Sequence, residues 1–312
     1  MGVKEGEPMA GDGPVVVTGG TGLVGGALLE RLGERGVPVR ALVRRPGSLA
    51  GRKGTTEFVW DGIRPPPDAL EGAAAVVHLS GEPVFGGLPT DERKKRLRSS
   101  RVASTESIVT ALQDVPALRR PHTFVCASAV GYYGDRGEER LDETSEPGEG
   151  FLAELCVDWE SAAAEAARFG VRVCSLRIGV VLSRDGGALP LMARPFRFGV
   201  GGVLGDGQQW FPWIHLDDLV GMLLAALGGD AWKGPVNAVA PQPVRNETLT
   251  RTLGKLLRRP TFMRVPGFAV KAVLGELSGE LLGSKRVIAA RAEALGFDFV
   301  WTELEPALRQ EL

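Results

Sequence analysis

The 312-residue sequence predicts an α/β chain, a doubly wound parallel sheet with a smaller C-terminal α+β lobe. Three observations predict it. From residue 14 onward, short apolar runs alternate with helical patterns, as strands joined by crossover helices do. Gly19, Gly22 and Gly25 cluster between the first apolar run and the first helical one. After Arg177 the character changes to glycine-rich loops carrying aromatics, which marks a second lobe.

The first strand is predicted at 15–18, where Val15-Val16-Val17 gives the β-branched run of a strand covered on both faces. The glycines follow at three-residue spacing, and Ala27-Leu28-Leu29-Glu30-Arg31-Leu32 belongs to a helix predicted over 22–34. A strand turning sharply into a helix aims the first helical N–H groups at one spot, which suits an anion. Glycine serves where the chain turns tightly, where backbone approaches a pyrophosphate and where helix packs on strand. The turn therefore reads as the dinucleotide site of a Rossmann sheet, built by Gly19, Thr21, Gly22, Leu23, Val24 and Gly25. The next strand, 37–43, leads to Arg44, nineteen residues beyond Gly25. An acidic residue about 20 positions past the glycines would bind a ribose 2′-hydroxyl. Arg44 and Arg45 stand there instead, and no carboxylate occurs between Gly36 and Gly54. A guanidinium pairs with a 2′-phosphate, so the expected cofactor is NADP(H). The alternative is a solvated basic turn.

Further strands are predicted at 57–60, 74–79, 123–127 and 171–176, with helices at 91–112, 151–169, 216–227 and 247–257. Residues 1–13 read as a flexible polar leader. Residues 14–180 form the predicted nucleotide-binding domain, with 214–240 returning to it. The remainder, 181–213 and 241–312, is the predicted substrate lobe.

A net charge of −1 argues against nucleic acid or an anionic membrane as partner. No apolar run reaches the roughly 18 residues of a membrane span, and the leader has no apolar core. Cys126, Cys156 and Cys174 stand singly in apolar segments, which suits a reducing, cytoplasmic location. No His/Cys/Asp cluster has metal-ligand spacing, so no metal is expected. The expected partner is a small-molecule substrate, bound by a monomer or by a homodimer joined through the helices at 91–112 and 151–169.

Beyond the glycine turn, several motifs resemble the extended short-chain dehydrogenase/reductase superfamily. Val76-Val77-His78-Leu79-Ser80-Gly81 is similar to the fourth-strand motif lining the cofactor, and residues 124–134 to the fifth strand with its serine. Arg177-Ile178-Gly179 resembles the sixth-strand turn near the nicotinamide, and residues 213–218 the motif opening a late helix. Gly81-Glu82-Pro83, Ser100-Arg101-Val102, Gly131-Tyr132-Tyr133-Gly134, 274–278 and 284–287 are similar to one branch. That branch is the atypical NAD(P)-dependent epimerase/dehydratase-like group with a distinctive C-terminal domain. The resemblance spans 14–312. It implies Leu79, Ser80, Gly81, Ile178 and Gly179 beside the cofactor, and an oxidoreductase or epimerase acting on a small carbonyl or sugar-type substrate. Arg101 is read as reaching the diphosphate or a substrate carboxylate, or as a surface ion-pair partner.

The superfamily's mechanism implies a serine, a tyrosine acid/base and a lysine four residues on. On the matching helix those last two positions fall on Leu152 and Cys156, and neither side chain does the work. Ser128 remains, as a catalytic hydroxyl or a satisfied strand-end group. Tyr132 and Tyr133 are read as a displaced acid/base or as aromatic packing. Glu82 is a candidate base or a capping or solvated carboxylate. His78 reads as packed core, and His215 as ordering a helix entry. Residues 205–213, with Trp210, Phe211 and Trp213, read as a cover over substrate or as a glycine-rich turn with core aromatics. Two functions stand at this point: an NADP(H)-dependent oxidoreductase or epimerase of atypical mechanism, or a non-catalytic NADP(H)-binding regulatory or interaction protein.

Overall fold

Seven strands make the central sheet: β1 (Val15–Thr18), β2 (Val39–Val43), β3 (Thr55–Val59), β4 (Ala75–His78), β5 (Thr123–Ala129), β6 (Arg172–Ile178) and β7 (Gly234–Ala238). The computed structural model describes residues 13–84 and 90–312, so the predicted leader, Gly13 aside, lies outside the described residues. Strand order is β7-β6-β5-β4-β1-β2-β3, and every pair runs parallel. Val15 is in register with both Val39 and Ala75. From β1 the chain builds outward to β3, then crosses back to place β4 on the other side. The switch point therefore lies between β1 and β4, and the crevice opens at the strands' carboxyl ends.

Apolar cores cover both faces of the sheet. Leu28, Leu29 and Leu32 of α1 (Leu23–Glu34) join Leu219, Leu223 and Leu227 of the helix Leu216–Gly228 on one face. On the other, Leu97 of α2 (Asp91–Arg98), Ile108 of α3 (Ser104–Ala111) and Leu155 and Trp159 of α4 (Phe151–Ala164) pack together. A third core around Leu189, Phe196, Trp213, Leu249, Leu253 and Leu308 fills the C-terminal lobe. There short strand pairs join Gly202–Leu204 to Met263–Val265 and Trp210–Phe211 to Val244–Arg245. Arg286–Val287 runs beside Arg140–Leu141, so the C-terminal region also reaches back over the core.

Three features depart from the predicted elements. The helix expected over 91–112 is broken by a π turn, Ser99–Ala103. Hydroxyls of Ser104 and Thr105 take up carbonyls at this turn, Ser104 Oγ donating to Ser100 O (2.8 Å) and Thr105 Oγ1 to Arg101 O (2.6 Å). Strand β5 runs to Ala129, past its predicted end, because Ser128 and Ala129 pair with Arg177 and Ile178 of β6. A helix that was not predicted, Ala188–Arg197, forms between the glycine-rich loops; its Pro195 hid it, while Leu189, Ala193 and Phe196 bury one face.

Candidate dinucleotide site

The turn between β1 and α1 is shaped by close backbone approaches. Gly19 has φ of +70°, and a Cβ there would lie 2.8 Å from the Leu79 carbonyl oxygen. A Cβ on Gly25 would overlap the Gly19 carbonyl oxygen. Gly22 N donates to Gly19 O (2.9 Å), and Gly26 N to Gly22 O (2.8 Å). Gly22 caps α1 with no side-chain acceptor, so the first N–H groups of the helix await an external one. Thr21 is exposed, with Leu23 and Val24 half-buried behind it.

Past β2, Arg44 and Arg45 are exposed, and their side chains form no hydrogen bond or ion pair among the described residues. The nearby carboxylate of Glu57 is already occupied: it accepts from Gly47 N (2.5 Å) and from Leu49 N. Arg52 Nη1 donates to Gly26 O (2.9 Å), bringing a further guanidinium to the first turn of α1. The cationic loop is thus held open by backbone bonds, with its two leading arginines unpaired.

At the β4 exit, proton positions follow from the partners. Leu79 N and Ser80 N both donate to Thr18 Oγ1 (3.1 Å each), so the Thr18 hydroxyl donates to His78 Nδ1 (2.8 Å). His78 Nε2–H then faces Ser104 Oγ (3.2 Å), whose own proton goes to the π turn. Burial, reinforced by the Arg101 charge, lowers the His78 pKa to about 3, which keeps the ring neutral. Arg101 lies flat against Gly81, donates through Nη2 to Glu82 O (2.9 Å) and covers the Trp159 ring at 5.3 Å. Arg101 is thus half-buried as a brace of the 79–82 loop and makes no ion pair among the described residues, so it is not a surface ion-pair partner. Glu82, read as a base or as a capping or solvated carboxylate, pairs through Oε1 with Arg93 (3.2 Å) and Arg96 (3.4 Å) on α2.

The β5 and β6 exits hold a buried polar network. Ser128, 3 % exposed, donates to Glu160 Oε1 (2.6 Å). Arg177 grips both oxygens of Glu160 at 2.9 Å and donates to the Tyr133 hydroxyl (3.0 Å). The Tyr133 hydroxyl proton is shared between Asn237 Oδ1 (2.7 Å) and Asp142 O (2.9 Å). Burial, opposed by Arg177, pushes the Tyr133 phenol up to about 12. Of the two readings of each, Ser128 as a satisfied strand-end group and Tyr133 as a packed aromatic are the ones this network matches, and both side chains help tie β5 to β6. Tyr132 differs. It is half-buried, the Arg177 guanidinium sits 3.4 Å from its ring centroid, and its hydroxyl bonds to no described residue. On α4, Leu152 is half-buried and Cys156 is buried, its thiol pushed up to about 12 by burial and then by Glu160 and Glu280. Gly179 N donates to Ala238 O (3.0 Å), and a Cβ on Gly179 would crowd Pro212 O.

The aromatic loop divides. Trp213 is 1 % exposed, and Phe211 packs against the same lobe core. Trp210 lies instead against the Arg245 and Arg286 guanidiniums (4.3 and 4.9 Å from its ring centroid), with Nε1 donating to Glu138 (3.0 Å). His215 caps the helix Leu216–Gly228, its Nδ1 accepting from Asp217 N (3.1 Å). Among the described residues no group of His, Cys, Asp and Glu could hold a metal ion, and no helix is long and apolar enough to cross a membrane.

Strand order, switch-point crevice and glycine turn define an α/β protein of the Rossmann type with an added C-terminal lobe. The NAD dependent epimerase/dehydratase family model matches residues 15–237, and a domain of unknown function, DUF1731, matches 265–311. The chain belongs to the NAD dependent epimerase/dehydratase family. It is 40% identical to the chloroplastic epimerase family protein SDR39U1 homolog of Arabidopsis thaliana, over 95% of this chain and 85% of that protein. A crystal structure of the human epimerase family protein SDR39U1 (isoform 2) with NADPH superimposes with a TM-score of 0.84 at 34% identity, covering 95% of this chain and 98% of that one. The nucleoside-diphosphate sugar epimerase of Corynebacterium glutamicum gives a TM-score of 0.79 at 38% identity, covering 97% of this chain and 59% of that one.

Proposed function

We propose that this protein binds NADP(H) across the carboxyl ends of β1, β2, β4, β5 and β6 and exchanges a hydride with a small carbonyl or sugar-type substrate. The observation that carries the cofactor is the loop after β2, where Arg44 and Arg45 lie exposed and unpaired while Glu57 is bound to loop amides. The presence of NADPH in the human relative's structure supports the same reading. In this reading Gly19, Thr21, Gly22, Leu23, Val24 and Gly25 receive the pyrophosphate, and Arg44 and Arg45 the 2′-phosphate. Leu79, Ser80, Gly81, Ile178 and Gly179 line the nicotinamide half. When bound, the nicotinamide supplies or accepts the hydride.

Tyr132 is the residue we assign to move the proton at the substrate oxygen. Of the tyrosine, serine and glutamate candidates, it is the one whose reactive group has no described partner, and the Arg177 guanidinium holds its ring in place. The absence of functional groups at Leu152 and Cys156 favours the second reading, NADP(H) binding without catalysis. The three single, buried cysteines support a reducing, cytoplasmic setting. In this reading the protein works as a monomer or as a homodimer joined through the helices at 91–112 and 151–169.

Fluorescence titration tests the cofactor assignment. Arg44→Asp is expected to weaken NADPH about tenfold while leaving NADH nearly unchanged, since only NADPH presents the phosphate. Equal loss for both nucleotides would overturn it. NADPH oxidation against a panel of carbonyl compounds tests Tyr132: Tyr132→Phe should abolish turnover that the wild type shows. Turnover that survives the substitution contradicts the role, and a wild type that binds NADPH yet turns over nothing supports the second reading.

A further inference from the structure

The turn leaving β5, residues 130–134, is met by a charged pair from the C-terminal region. Lys285 is 2 % exposed, and its Nζ donates to Gly279 O (3.2 Å) and pairs with Glu280 Oε1 (3.6 Å). The Glu280 side chain is 22% exposed, so the ammonium is closed in while the carboxylate keeps an open side. That carboxylate faces Gly131: a Cβ there would sit 3.1 Å from Glu280 Oε1 and 3.8 Å from Cys156 Sγ. Burying an ammonium is costly without firm partners, so the pair holds the carboxylate at one place. The segment is fastened to the same loop. Ser284 N donates to Asp135 Oδ1 (3.0 Å), Ser284 Oγ to Gly137 O (2.6 Å) and Arg136 N to Ser284 O (2.9 Å).

The location suggests a ligand. The arginine loop after β2 draws the adenosine half of a dinucleotide to one side of the glycine turn. The other half must then run toward β4 and β5. The β5 exit lies two strands from β1, about 10 Å at ordinary strand spacing. Beside Gly131 there, Cys156 presents a buried thiol that cannot bind a ribose diol well. A ribose offers two O–H donors, and a carboxylate with an open side accepts both.

We propose that Glu280, held by Lys285 over Gly131, accepts the hydroxyls of the nicotinamide ribose, so that the C-terminal segment completes the NADP(H) site. This rests on the NADP(H) reading above. The test titrates wild type, Glu280→Gln and Gly131→Ala with NADPH and with adenosine 2′,5′-bisphosphate, which lacks the nicotinamide half. Glu280→Gln is expected to weaken NADPH about tenfold and leave the bisphosphate within about twofold. Gly131→Ala, which pushes on the carboxylate, should act in the same direction. Unchanged NADPH affinity in Glu280→Gln overturns the Glu280 assignment alone. Equal loss of both ligands also overturns it, because the effect is then on the fold. A wild type that binds neither ligand overturns the NADP(H) reading itself.

Discussion

Buried at the end of β4, His78 is neutral because its burial and the nearby Arg101 lower its pKa to about 3, against 6.5 when unfolded. The unfolded chain therefore binds a proton that the folded chain does not, between those two values. The resulting stability is complete above pH 6.5 and is lost as pH falls toward 3. At pH 5 the loss relative to pH 7 is about 2 kcal/mol. Urea unfolding at the two pH values should show that extra loss in wild type and not in His78→Gln; equal slopes would contradict it. Thr18 serves the same knot by accepting from two amides. Thr18→Val leaves both amides without their acceptor and is expected to cost about 1–3 kcal/mol in the same assay. That His78 is packed core could be read from its apolar strand. Its proton chain could not, because Thr18 and Ser104 are distant in sequence.

At the scale of elements, β1, its glycine turn and α1 were legible because every constraint is local: a β-branched strand, three glycines and an apolar helix face. Gly25→Ala should therefore remove NADPH binding, as the added methyl collides with the Gly19 carbonyl; retained affinity in titration would contradict this. The π turn was not legible, since Ser100 and Arg101 look like ordinary helix residues until the loop at 81–82 packs against them. Adjacent tyrosines were equally opaque. Tyr133 turns inward to Asn237, a partner from β7, while Tyr132 turns outward under Arg177. A chain position carries no record of such long-range partners. Glu82 and Ser128 stayed open between two readings for the same reason: their partners, Arg93 on α2 and Glu160 on α4, come from elsewhere in the fold.

Across the whole molecule, the C-terminal lobe is more than a cover. Asp218, at the start of the helix Leu216–Gly228, accepts from Val300 N (2.8 Å) and Trp301 N (3.0 Å), and Ser284 binds the β5 exit loop. The Rossmann core and the C-terminal segment are thus fastened together at two places. NADPH binding should raise amide hydrogen-exchange protection in 19–26 and 44–52 together with 279–287; protection confined to the core would show that the C-terminal segment stands apart from the nucleotide. A crystal structure with NADPH measures the arrangement most directly. The expected complex has the pyrophosphate on the first N–H groups of α1 and the 2′-phosphate within hydrogen-bond reach of Arg44 or Arg45. A nucleotide bound away from the glycine turn, or a 2′-phosphate turned away from both arginines, would contradict it.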